Sequence, residues 1–157
     1  YHLPFGKMAQ KAHSHLARVN KSGQTPEQLE QQIEPTLQYN RLIGNSYTAS
    51  MYIGLCSLLE NSSENLVDKR VGLFSYGSGC VAEFFTGVVQ PGYQHALNKE
   101  RHQALLRERT ELSFDEYIKL YHYPNPTDGG EHILAEQTQG AFRLAAITDH
   151  KREYVAR

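Results

Sequence analysis

The apolar and polar positions divide the chain into a helical first third, two strongly apolar strand runs and a more polar remainder. Phe5, Met8, Ala12, Leu16 and Val19 recur at spacings of three and four, which predicts an amphipathic helix over residues 5–19. Pro4 suits its first turn, and Lys7 and Lys11 stand four apart on a neighbouring face. Residues 20–25 are polar and contain Gly23, the composition of a loop. Thr25 as N-cap and Pro26 at the first helical position open a second helix carrying Leu29 and Ile33. Pro35 is expected to end or bend it, leaving a short irregular link up to Gly44.

A third helix is expected after Asn45 or Ser46, with Tyr47, Met51, Leu55 and Leu58 along one face. Thr48, Ala49, Ser50, Gly54 and Ser57 fill much of the rest, a pattern suited to close packing on several sides. Asn61-Ser62-Ser63 closes it. Residues 70–76 and 80–89 then read as two strands around Gly77-Ser78-Gly79, an antiparallel pair. Their nearly continuous hydrophobicity implies a sheet covered on both faces. Beyond Pro91-Gly92, residues 95–110 have helical propensity, and Ser113 to Tyr117 reads as a capped helix start. Residues 121–131 suit an exposed loop, and residues 141–148 and 152–157 suit closing strands. Helices alternating with buried strands indicate α/β or α+β with a mixed sheet.

At 157 residues the length suits one domain, 1–157. With 16 basic and 17 acidic side chains, the formal charge of −1 offers no field for nucleic acid or an acidic membrane. No apolar run approaches the roughly 20 residues of a membrane helix, and the polar start does not resemble a signal peptide. Cys56 and Cys80 lack CxxC spacing, so buried structural thiols in a reducing cytoplasm are the expectation. Neither His13 and His15 nor His122 and His132 has the helical spacing of a zinc-protease pair, and no metal is expected.

Three motifs offer chemistry. His2-Leu3-Pro4-Phe5-Gly6-Lys7-Met8 sets a histidine ahead of a helix start, where a neutral imidazole can meet a carbonyl. Lys7 and Lys11 can meet phosphates; equally, they form an ordinary solvated face. Asn45 in Gly44-Asn45-Ser46-Tyr47-Thr48-Ala49-Ser50 either caps a helix or turns its amide to a ligand. Ser75-Tyr76-Gly77-Ser78-Gly79 is either a hairpin turn or an oxyanion-binding one. It is not the G-x-S-x-G of a hydrolase nucleophile elbow.

Taken in order and at their spacing, the three motifs resemble those of 3-hydroxy-3-methylglutaryl-CoA (HMG-CoA) synthases. The likeness is tightest from His2 to Phe85, and Ala82-Glu83-Phe84-Phe85 looks more like the bacterial branch. The resemblance implies a thiolase-like α/β fold, of which this chain would be the carboxyl-terminal half, a mixed sheet with packed helices. It implies condensation of acetyl-CoA with acetoacetyl-CoA to HMG-CoA and CoA in the mevalonate route to isoprenoids, with no cofactor beyond the CoA thioesters. The family histidine falls on His2, its CoA-contacting lysines on Lys7 and Lys11, and its acyl-holding residues on Asn45 and Ser78. Tyr47 and Tyr76 would line the pocket. The family's nucleophilic cysteine and proton-transferring glutamate precede that histidine, and Cys56, Cys80 and Glu83 match neither. The expectation is therefore a carboxyl-terminal portion, inactive alone and exposing apolar faces, whose partners are an amino-terminal half and a second copy in a homodimer. A ketoacyl synthase of the third type and a non-catalytic interaction module are the alternatives.

Overall fold

Helix α1 spans Gly6–Val19, and α2 spans Pro26–Ile43 behind a capping box. In that box Thr25 Oγ1 accepts from Gln28 N, and the Gln28 side chain accepts from Thr25 N. Leu3, Ala9, Ile33 and Leu37 close into the main apolar cluster, where α1 and the residues ahead of it lie on α2. The computed structural model describes residues 1–77, 79–136 and 140–156. Its chain gathers into two compact units, Tyr1–Arg109 and Thr110–Arg157.

Pro35 neither ends nor interrupts α2, contrary to the sequence expectation, and no irregular link precedes Gly44. The reason lies in α3, Ala49–Asn61, which packs along α2. Ser57 Oγ donates to the Pro35 carbonyl at 2.6 Å, and Thr36 Oγ1 donates to the Ile33 carbonyl. The first is a tertiary bond that clamps α3 to α2 at the proline, and that packing offsets the ladder bond that proline cannot make. The seam is made of small residues: Ser50 and Ser57 are fully buried, and Gly54 lies against Thr36 and Asn40. A Cβ on Gly54 would stand 3.4 Å from both the Thr36 carbonyl and Asn40 Nδ2, so bulk there would separate the helices. Met51 is buried as expected, whereas Tyr47 is 77% exposed and Leu55 and Leu58 are only half-buried.

Strands β1 (Arg70–Tyr76) and β2 (Ala82–Val88) form the expected antiparallel hairpin, pairing Arg70 with Val88 and Tyr76 with Ala82. Coverage of both faces is not found, since β2 is exposed along its whole length and only Leu73 of β1 is buried. A short 3-10 turn, Tyr93–Ala96, leads to α4, Lys99–Arg107, so the helical stretch foreseen over residues 95–110 is broken in two.

The second unit begins with α5, Phe114–Tyr121, capped by Ser113 and Glu116 as the sequence indicates. Strands β3 (Glu131–Ile133), β4 (Phe142–Thr148) and β5 (Lys151–Ala156) follow in an antiparallel sheet with β4 central. The short β3 begins at the last residue of the expected loop, and the sequence reading gave its other two residues no element. The fold class is α/β as expected, but both described sheets are antiparallel, which corrects the expectation of a mixed sheet.

Candidate functional site

The residues ahead of α1 are held by backbone and side-chain bonds from two other motifs. His2 N donates to the Phe74 carbonyl at 2.8 Å, which lays the first motif along β1. The half-buried imidazole then packs on Tyr76, ring centroids 4.8 Å apart, with Nδ1 3.4 Å from Ser75 Oγ. When the Ser75 hydroxyl donates to Nδ1, the ring proton resides on Nε2, which makes that nitrogen a hydrogen-bond donor. Tyr76 is fixed in turn, its hydroxyl donating to Met8 Sδ at 3.0 Å.

Ser50 joins the second motif to the first. Its hydroxyl accepts from Leu3 N at 2.7 Å and donates to the Tyr47 carbonyl at 2.6 Å, while Asn40 Nδ2 donates to the Ser50 carbonyl. Tyr47 has a φ of 53°, a left-handed conformation uncommon for a bulky residue. Both of its peptide groups are pinned, the N–H by Asn45 Oδ1 at 3.0 Å and the carbonyl by Ser50. Asn45 therefore does not cap α3, whose N-cap is Thr48 with no side-chain bond. It shapes the turn that presents an exposed Tyr47. Ser50 was part of the quoted motif but received no role from sequence; its 0% exposure is what marks it.

Lys7 and Lys11 stand exposed on α1, beside His15 and Arg18 along one shallow groove. Ser78 lies outside the described residues. The structure thus brings His2, Tyr76 and, through Ser50, the Asn45–Tyr47 turn onto one framework. A broad concavity is a different feature, lined by Leu16, Val19, Ile33, Leu66, Phe74 and Phe84 among others. Asn45, Tyr47, Tyr76 and His2 do not line it.

A second polar cluster centres on Glu60, whose side chain is wholly buried. Its carboxylate accepts from the Tyr39 hydroxyl at 2.5 Å, from Asn98 N at 3.1 Å and from His102 Nδ1 at 2.9 Å. Burial opposes ionisation of Glu60, but these donors hold it below the usual carboxylate range. Burial, then the Glu60 hydrogen bond, pushes Tyr39 up to about 12. Cys56, 3.7 Å from His102 Nδ1, is pushed up to about 11 by burial and by the Glu60 charge, so it rests as a thiol. Both cysteines are free; Cys56 is half-buried, but Cys80 is exposed, against the expectation of two buried thiols. Among the described residues no helix is long and apolar enough to cross a membrane.

Residues 18–122 match the family described as hydroxymethylglutaryl-coenzyme A synthase, C terminal. A hydroxymethylglutaryl-CoA synthase of Enterococcus faecalis is 41% identical over 155 residues, covering 98% of this chain and 39% of the relative. A polyketide-biosynthesis 3-hydroxy-3-methylglutaryl-ACP synthase of Bacillus subtilis is 34% identical, covering 77% of this chain and 29% of its own length. Among solved structures, HMG-CoA synthase complexed with CoA superposes with a TM-score of 0.86 at 38% identity, over 99% of this chain and 40% of that one. MvaS in complex with 3-hydroxy-3-methylglutaryl coenzyme A gives 0.77 at 37% identity, again over 99% of this chain and 40% of that one. The chain therefore spans about two fifths of the length of such relatives. Their fold is the thiolase-like one expected, and the chain belongs to the HMG-CoA synthase family, matching its carboxyl-terminal domain.

Proposed function

We propose that this chain supplies the acyl-holding side of an HMG-CoA synthase, acting with an amino-terminal thiolase half that carries the nucleophilic cysteine and the proton-transferring glutamate. The reaction is condensation of acetyl-CoA with acetoacetyl-CoA to HMG-CoA and CoA, a step toward isoprenoids by the mevalonate route. One observation carries the reading: His2, at the head of the first motif, is bonded to β1 of the third, beside the turn of the second. A carbonyl compound that becomes a new carbon–carbon bond needs fixed donors at its oxygen, and His2 Nε2–H is one. Asn45 and Ser78 would hold the acyl chain, Tyr47 and Tyr76 would line its pocket, and Lys7 and Lys11 would meet the phosphates and pantetheine of CoA. No metal or cofactor takes part in the condensation itself.

The open apolar groove and the exposed β2 face fit a surface covered by the amino-terminal half. A cytoplasmic homodimer is the working state we infer, in keeping with two free thiols.

The test is His2→Ala in the chain combined with its amino-terminal half. Condensation should fall about 100-fold or more, the range for a positioned proton donor, while acetyl transfer from acetyl-CoA onto the enzyme persists. Equal loss of both steps would overturn the role given to His2.

A further inference from the structure

Cys56, Glu60 and His102 have no part in the condensation, yet they bring three chemically different metal-binding groups together. Cys56 and Glu60 are one helical turn apart on α3 and share a face, and α4 brings His102 to them. One donor atom from each lies within 4.8 Å of the others. Cys56 Sγ is 3.7 Å from His102 Nδ1, which is 2.9 and 3.1 Å from the two Glu60 carboxylate oxygens. A tetrahedral zinc centre, with Zn–S near 2.3 Å and Zn–N or Zn–O near 2.0–2.1 Å, has S···N and N···O edges of about 3.6 and 3.4 Å. The S···N and N···O pairs stand within about half an ångström of those edges, and the third pair, S···O, lies within 4.8 Å.

We propose that Cys56, Glu60 and His102 form a binding site for a thiophilic divalent cation of the Zn²⁺ type, with water at the fourth position. Coordination replaces the thiol proton of Cys56 and the Nδ1 proton of His102. The thiol proton passes to solvent, and the imidazole remains neutral with its proton on Nε2. One thiolate and one carboxylate then balance the two positive charges, so the half-buried site, which carries the Glu60 charge when empty, becomes neutral once the ion is bound. The Tyr39 hydroxyl and Asn98 N–H stay on the carboxylate as the outer hydrogen bonds that orient a metal ligand. Lys99 directs its ammonium to the Glu60 backbone carbonyl at 2.8 Å. The His102 side chain is 37% exposed and gives the ion a way in. A carboxylate–histidine ion pair would need no sulfur at the same nitrogen; Cys56 is the feature that favours a soft metal. Sequence spacing concealed the site, because His102 lies 42 residues from Glu60. Bound metal would fasten α4 to α3.

The measurement is titration of the chelator-treated chain with Co²⁺, followed by Zn²⁺. One Co²⁺ per chain should bind, giving a near-ultraviolet thiolate-to-cobalt band and the visible bands of tetrahedral cobalt, all displaced by Zn²⁺. Cys56→Ala and His102→Gln should each weaken binding about 100-fold or more, beyond the 10–100-fold typical of outer-shell partners. Cys80→Ser should leave the spectrum intact. The proposal is overturned if the unaltered chain shows no thiolate band, or if the band follows Cys80 instead of Cys56. The unaltered chain and Cys80→Ser decide the matter even where a variant at the cluster fails to fold.

Discussion

The α2–α3 seam and the β1–β2 hairpin invert the usual relation between polarity and burial. Along the seam, Ser50, Ser57, Asn40 and Glu60 are buried, each with hydrogen-bond partners. Across the hairpin, Phe84 is 65% exposed and Phe85 and Val88 also face solvent. Small polar side chains let two helices approach closely, and each one buried demands a partner. Apolar strand residues instead make an open face, which no described residue of the first unit covers. Hydrophobicity therefore marks the open surface, while the seam holds the first unit together.

Three substitutions would break or sharpen that contrast. Glu60→Ala removes the acceptor shared by Tyr39, His102 and Asn98, and should cost about 3 kcal/mol in urea unfolding. Because the folded carboxyl is held below its ordinary range, its stabilisation is complete at neutral pH. It should be lost as pH falls below about 4, through the folded-state value, and the variant should lack that acid-dependent component. Ser50→Ala leaves Leu3 N without its buried acceptor and should cost about 1–2 kcal/mol. It should also loosen the segment carrying His2, seen as faster amide exchange at Leu3. Phe84→Thr should change stability by about 0.5 kcal/mol or less, yet reduce self-association in sedimentation. A large stability loss from Phe84→Thr alone would show that the hairpin face is core after all.

Local chemistry was legible wherever it acts within a few residues. The capping boxes at Thr25 and Ser113 follow from side chains that meet their own backbone, and the start of α1 and the bounds of β1 follow from apolar spacing. Pro35 misled because its missing N–H is a local fact, whereas its tolerance depends on Ser57, 22 residues away. The leucine face of α3 misled for a related reason. Periodicity reveals that a face is apolar, but the small-residue face allowed closer approach to α2, so Gly54 and Ser57 took the interior. In the candidate site, His2, Asn45, Tyr47 and Tyr76 could be named from motifs, but Ser50 and Ser75 acquire their meaning from bonds across 47 and 73 residues.

By itself, then, the sequence determined the family, the order of the longer helices and strands and the three motifs, since each rests on residue identity at short spacing. Only the tertiary structure decided that Asn45 shapes a turn instead of capping a helix and that Pro35 lies within one. It alone gathered Cys56, Glu60 and His102. Those outcomes turn on which distant groups satisfy a buried donor or acceptor, and chain spacing carries no record of that pairing.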